Sequence, residues 1–300
     1  MMFVLLATVL SLLGTVPSPE AGQEPGWNFN LRTPDGRPPT SCDDLEVTIR
    51  SGELVRGEDV VSPPATPSGL SVRGFRNGGL YASGSGAGDY AVKLCKFAAG
   101  RTAGEAQAVL DAVTLGEQGG VVRVNGPDER SNWTAHLIVL TPENARVELE
   151  TLNGPLSVSG VTGRITARAT NGPVAVKGSS GEIRIEAQNG PVSLSETSGD
   201  VRAVANNGPL AVALSGGSWQ GAGLDGRANN GPLSLRVPDG YQSGVAVEMS
   251  RHSPLNCRGA ICTGAVRLGG DSGTLRLGSD PAQVRLSAHN GPVSISSGRD

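Results

Sequence analysis

From about residue 141 onward, apolar and polar positions alternate with a period of two, and the tripeptide Asn-Gly-Pro interrupts the alternation at near-regular intervals. In "GRITARATNGPVAV" the apolar set is Ile165, Ala167 and Ala169 before the tripeptide and Val174 and Val176 after it, with Arg164, Thr166 and Arg168 between. The next repeat supplies Ile183, Ile185, Ala187, Val192 and Leu194, and the one after it Val201, Ala203, Ala205, Leu210 and Val212. A period of two is the signature of a half-buried strand, so each repeat predicts two short strands and two turns. Neither strand can bury its apolar face alone, which requires the repeats to stack.

The Asn of each tripeptide marks the repeat: Asn125, Asn153, Asn171, Asn189, Asn207, Asn230 and Asn290, with three consecutive gaps of 18 residues. Taking His252 and Ser272 as markers inside the long interval gives steps of 28, 18, 18, 18, 23, 22, 20 and 18. The pattern predicts an all-β chain, a single-stranded parallel β-helix or β-solenoid with coils of about 18 residues and an asparagine ladder at the corner. Asn171 continues the inward phase of residues 165, 167 and 169, so its side chain is expected to point into that corner. Gly172 admits backbone angles that other residues resist, and Pro173 fixes φ and lacks the N–H that a central ladder demands. Eight steps at one strand spacing give a rod of about 38 Å. Its last coil, ending at "SISSGRD", has no evident cap and is expected to be an open edge.

Between the apolar positions, stacking brings Glu150, Arg168 and Glu186 into one outward column and Glu148, Thr166, Arg184 and Arg202 into the next. The first column alternates in sign and reads as surface pairing. Arg184 beside Arg202 puts like charges together, a solvated face or a place to hold an anionic polymer.

The chain before residue 141 is less regular. Residues 42–140 are expected to form an irregular β region that begins and caps the regular coils of 141–300, a separate small domain being the alternative. In "TAGEAQAVLDAVTL", Ala106, Leu110 and Val113 fall at helical spacing and predict one short helix near residues 103–112. Residues 22–41 are rich in Pro and Gly and read as a flexible linker. The apolar run Phe3–Leu13 is too short to span a bilayer and fits a secretory signal peptide ending near Ala21, although no Lys or Arg precedes it.

Composition supports a turn-rich β protein with a core of small aliphatics: Gly 44, Pro 20 and only 3% aromatic residues. The formal net charge of -3 offers no basic surface for phosphate neutralisation, so nucleic acid is not an expected partner. The four cysteines allow three pairings; Cys257 and Cys262 in "NCRGAIC" are close enough to close a small loop, which leaves Cys42 with Cys95. Disulfides fit an exported chain, whereas a zinc site lacks any CxxC pair. No nucleophile elbow, P-loop or HExxH motif is present, and no catalytic, cofactor or metal site is expected. The carboxylates of the long turns, Asp225, Asp239 and Asp271, sit in Gly-rich turns where Asp is commonly structural. Asn132-Trp133-Thr134 matches a glycosylation sequon that arises easily by chance.

The run "DYAVKLCKFAAG", the Ala-rich helix, "AHLIVLTPENARVELETLNGPLSVSG" and the following Asn-Gly-Pro coils resemble the bacterial putative-adhesin family over roughly residues 70–300. That family is similar in outline to the head domains of some autotransporter-type adhesins, and the resemblance implies export and a β-solenoid. It carries no catalytic residues over. The expectation is an exported cell-envelope module, in the periplasm, on the surface or outside the cell, that binds a glycan or surface polymer without catalysis, with Arg184 and Arg202 as the candidate face. The alternatives are a scaffold assembling end to end through the terminal coil and a polysaccharide-active β-helix enzyme.

Overall fold

Alternating side chains need two apolar faces brought together, and over residues 145–237 the chain meets this need by passing from one sheet to the other with each successive strand. The computed structural model describes residues 30–32, 38–63, 68–86, 88–127, 132–250, 253–268, 273–278 and 281–298. Their strands form one twelve-stranded sheet, one eleven-stranded sheet and a two-stranded pair, with a single α-helix at Ala103–Asp111. The fold is all-β with two large sheets and is not a closed barrel.

In the twelve-stranded sheet, Ala145–Asn153, Thr162–Asn171, Ser180–Asn189, Ser198–Asn207 and Gly223–Asn230 run parallel and side by side. The short strands between them, Leu156–Ser159, Val174–Lys177, Val192–Ser195, Leu210–Ala213 and Leu233–Val237, stack in parallel in the eleven-stranded sheet. Ile165, Ile183, Val201, Leu224 and Val284 make one buried column, and Leu156, Val174, Val192, Leu210, Leu233 and Val293 make another on the opposite sheet. Both belong to one continuous core that extends from Leu70 to Ile295.

Earlier strands join the same sheets. Leu70–Arg73 and Leu80–Gly84 pair in parallel with Ala145–Asn153 and Leu156–Ser159. Beyond them, Glu53–Val61, Ala91–Gly100 and Trp133–Thr141 form an antiparallel edge. The helix buries Ala106 and Leu110, and the Thr102 hydroxyl accepts from the Glu105 N–H at 3.2 Å to cap its first turn. A disulfide joins Cys42 to Cys95 with 5.3 Å between Cα atoms. It lies beside a second apolar cluster of Leu45, Tyr81, Phe97 and Ile138. Within the expected linker, Asn30–Arg32 pairs antiparallel with Glu46–Thr48; the expected signal peptide, 1–21, lies outside the described residues.

The interval between Asn230 and Asn290 departs from the expected run of coils. Gly223–Asn230 pairs directly with Ala282–Asn290, and Leu233–Val237 with Val293–Ser297, so Asn230 stands next to Asn290. Gly244–Met249 and Leu255–Arg258 then pair with the far sides of those C-terminal strands. Gly273–Leu277 runs antiparallel to Gly244–Met249 and is no parallel coil. His252 and Ser272, the markers used to fill the interval, lie outside the described residues. The last coil is therefore interior, with neighbours on both sides, and the expected open terminal edge after Asn290 is corrected. The end is formed instead by Gly244–Met249, Leu255–Arg258, Val266–Leu268 and Gly273–Leu277, with a second disulfide joining Cys257 to Cys262 at 5.9 Å between Cα atoms.

Candidate functional site

The Asn-Gly-Pro corner builds one edge of the molecule. Asn171 donates from Nδ2 to Oδ1 of Asn153 at 2.8 Å, Asn189 to Asn171 at 2.9 Å, Asn207 to Asn189 at 3.0 Å, Asn230 to Asn207 at 3.1 Å and Asn290 to Asn230 at 2.9 Å. Asn153 in turn donates to Asn77 at 3.2 Å. Asn125 stands elsewhere, at the end of Val121–Asn125 opposite Thr114. The first rung belongs to Asn77, whose "NGG" lacks the proline that marks the others. The column is solvent-exposed, a correction to the expected inward orientation; the register passes from Ala169 to Asn171 with no pair at Thr170.

Gly172 has φ of 152°, yet close approach is the wider constraint. A Cβ on Gly190 would run into the carbonyl of Gly172, and one on Gly208 into that of Gly190. The proline carbonyls accept from the next strand in the preceding coil, as Val174 N–H to Pro191 O at 2.8 Å, while the missing proline N–H leaves no donor unpaired.

Outward side chains of the twelve-stranded sheet form charged columns. Over the first coils they are mutually compensated: Arg73 with Glu150 at 2.8 Å, Arg168 with Glu148 and Glu150, and Arg164 with Glu182 at 2.6 Å. Arg184 and Arg202 stand side by side in register, but their surroundings differ. Arg184 is bracketed by Glu182 at 3.4 Å and Asp200 at 3.5 Å. Arg202 is exposed and has no ion-pair partner among the described residues.

From Arg202 the same column continues through Asp225, Arg285 and Ala246 to Arg276 on successive strands. A concavity of about 1120 Å³ opens to solvent over the later part of this column, lined among others by Asp225, Arg227, Glu248, Arg276, Arg285 and His289, with Arg202 one strand outside its lining. The register shift between Gly244 and Val245 marks a bulge in one of its strands, and bulges bend and twist a sheet. Arg227 holds both oxygens of Asp225, at 3.1 and 3.3 Å, and this contact raises the affinity of its guanidinium for its proton. Arg285, in register with Asp225, has no ion-pair partner among the described residues. Small outward residues, Ala246 and Ser287, keep the floor low between the long side chains.

Sequence reasoning found Arg184 and Arg202 and missed Arg227, Arg276 and Arg285. Their outward phase was readable from the alternation; their adjacency depended on Asn230 stacking on Asn290. Among the described residues, no group of three or more His, Cys, Asp or Glu is arranged to hold a metal ion. Asp239 is not among the lining residues, and Asp271 lies outside the described residues. Thr134 of the sequon is buried in a strand, its hydroxyl donating to Asn77 O at 2.7 Å.

No family model matches the chain, and no curated protein matches it. Among solved structures it is similar to a putative cell adhesion protein from Clostridium sporogenes, 11% identical over 81% of this chain and 100% of the other, with a TM-score of 0.31. A putative adhesin from Parabacteroides distasonis is 8% identical over 82% and 98% of the two chains, with a TM-score of 0.39. A putative lipid binding protein from the same species is 7% identical over 83% and 98%, with a TM-score of 0.30.

Proposed function

We propose that the protein is an exported, non-catalytic binding module of the bacterial cell envelope, a β-solenoid whose outer polar face takes a glycan or another surface polymer. The observation that carries this reading is the concavity on the outward face of the twelve-stranded sheet, with its arginines and small floor residues. A rigid stack of strands holds such a face without ordering loops on binding, which limits the entropic cost of association. Two disulfides and the apolar N-terminal run support export. No helix among the described residues is long and apolar enough to cross a membrane.

The non-catalytic part of the reading rests on the carboxylates. Glycoside chemistry uses a pair of carboxyl groups flanking the scissile bond. In the concavity, Asp225 is engaged on both oxygens by Arg227, and Glu248 stands two strands away and one column over. The scaffold alternative invoked the terminal coil as a free end, and that coil has partners on both sides. Binding of the intact protein to an array of glycans and envelope polymers tests the reading. Saturable binding to at least one of them is the expected result; the absence of any saturable ligand across a broad array overturns it.

A further inference from the structure

The outward column Arg202, Asp225, Arg285, Ala246, Arg276 crosses five adjacent strands. Arg202 and Arg285, which have no ion-pair partner among the described residues, flank Asp225. The only acid between them is already neutralised by Arg227. This stretch carries excess positive charge on a chain whose net charge is -3. Over the first coils the neighbouring outward columns pair each of Arg73, Arg164 and Arg168 with a Glu.

The spacing restricts the ligand further. Two strand spacings separate Arg202 from Arg285, about 10 Å between their backbones. An extended glycan has a residue length close to one strand spacing, so alternate acidic residues of a polymer lying across the strands meet the two guanidiniums. A planar carboxylate accepts two parallel bonds from an arginine fork, which a neutral sugar hydroxyl does not. Asp225, held by Arg227, lies between the two contacts, while Ala246 and Ser287 keep the surface low beyond and beside Arg285.

We propose that the ligand of this face is a linear polyuronate, lying across the strands with alternate carboxylates on Arg202 and Arg285. The proposal rests on the binding-module reading above and specifies its ligand class. The test is titration of the intact protein with polygalacturonate, with the same polymer after reduction of its carboxyl groups, with heparin and with single-stranded DNA. Each is measured at about 50 and about 200 mM salt, where screening of exposed charges differs.

The expected result is saturable binding to polygalacturonate that weakens with salt and drops about tenfold or more in R202S/R285S, whose thermal midpoint stays that of the parent. R258S, which removes an outward arginine of the opposite sheet, leaves the affinity unchanged. Equal binding of the carboxyl-reduced polymer overturns the polyuronate assignment and leaves the glycan reading standing. Preference for heparin or DNA overturns it too, and so does insensitivity to R202S/R285S. Failure of these four polymers together with failure of the broad array overturns both readings.

Discussion

At Gly190 two backbones meet so closely that the carbonyl of Gly172 occupies the space a side chain would need. Its φ lies outside the left-handed region, so an alanine there is excluded by contact rather than by backbone angle. Gly190→Ala is expected to lower stability by about 2–3 kcal/mol in urea unfolding, the scale of overpacking; a loss within experimental error would mean the corners are loosely stacked. The sequence makes this glycine visible as a repeat, but it does not distinguish angle from approach. His136 is a second residue whose role lies in its surroundings. Its Nδ1 accepts from the Gly79 N–H at 2.9 Å, and burial pushes the imidazole down to about 4. The unfolded group titrates near 6.5, so below that pH the unfolded chain binds a proton that the fold resists. This contribution is fully present above about 6.5 and is lost as pH falls toward 4, reaching roughly 3 kcal/mol. Urea midpoints between pH 7 and pH 4.5 should therefore fall more steeply in the parent than in His136→Gln; equal slopes would remove His136 from the account.

At the level of elements, the alternation reveals the strands and the 18-residue marker reveals their register through Asn230. The helix at Ala103–Asp111 was equally legible, because Ala106 and Leu110 are its buried face. Asn77 was not, since its corner lacks proline, and neither was the antiparallel edge of Glu53–Val61 and Ala91–Gly100, whose partners are set by distant packing. The outward orientation of the asparagines was not legible, because the missing pair at Thr170, between Ala169 and Asn171, is not encoded by periodicity alone. The two disulfides close loops of very different length, 53 and 5 residues of sequence separation. On chain entropy alone, replacing Cys42 and Cys95 by alanine should cost about 4 kcal/mol and replacing Cys257 and Cys262 about 2. Paired unfolding curves give the order; the reverse order would mean that the end carrying Cys257 and Cys262 depends on its small loop more than the fold suggests.

On the scale of the whole molecule, the chain leaves a place beside Gly223–Val237, builds Gly244–Met249 and Leu255–Arg258 beyond it, and returns to fill the gap with Ala282–Ser297. A sequence read from start to end cannot anticipate that order, because each strand fits its neighbours equally well by pattern. Truncation after residue 281 should then do more than shorten the stack: it removes strands internal to both sheets and leaves Gly244–Met249 without its parallel partner. A marked fall in thermal midpoint with loss of a single transition is expected, and an unchanged transition would contradict the interior position. The same return assembles the face proposed to bind the polymer, since Arg285 arrives between Asp225 and Ala246 only through it.

Arginine footprinting tests the central claim most directly, by labelling guanidiniums with a dicarbonyl reagent in the free protein and in the protein saturated with polymer, read by mass spectrometry. Protection of Arg202 and Arg285 on the outer face of the twelve-stranded sheet is expected, with Arg258 on the opposite sheet labelled to the same extent in both states. Protection of Arg258 with Arg202 and Arg285 unchanged would place the ligand on the other sheet and contradict the account.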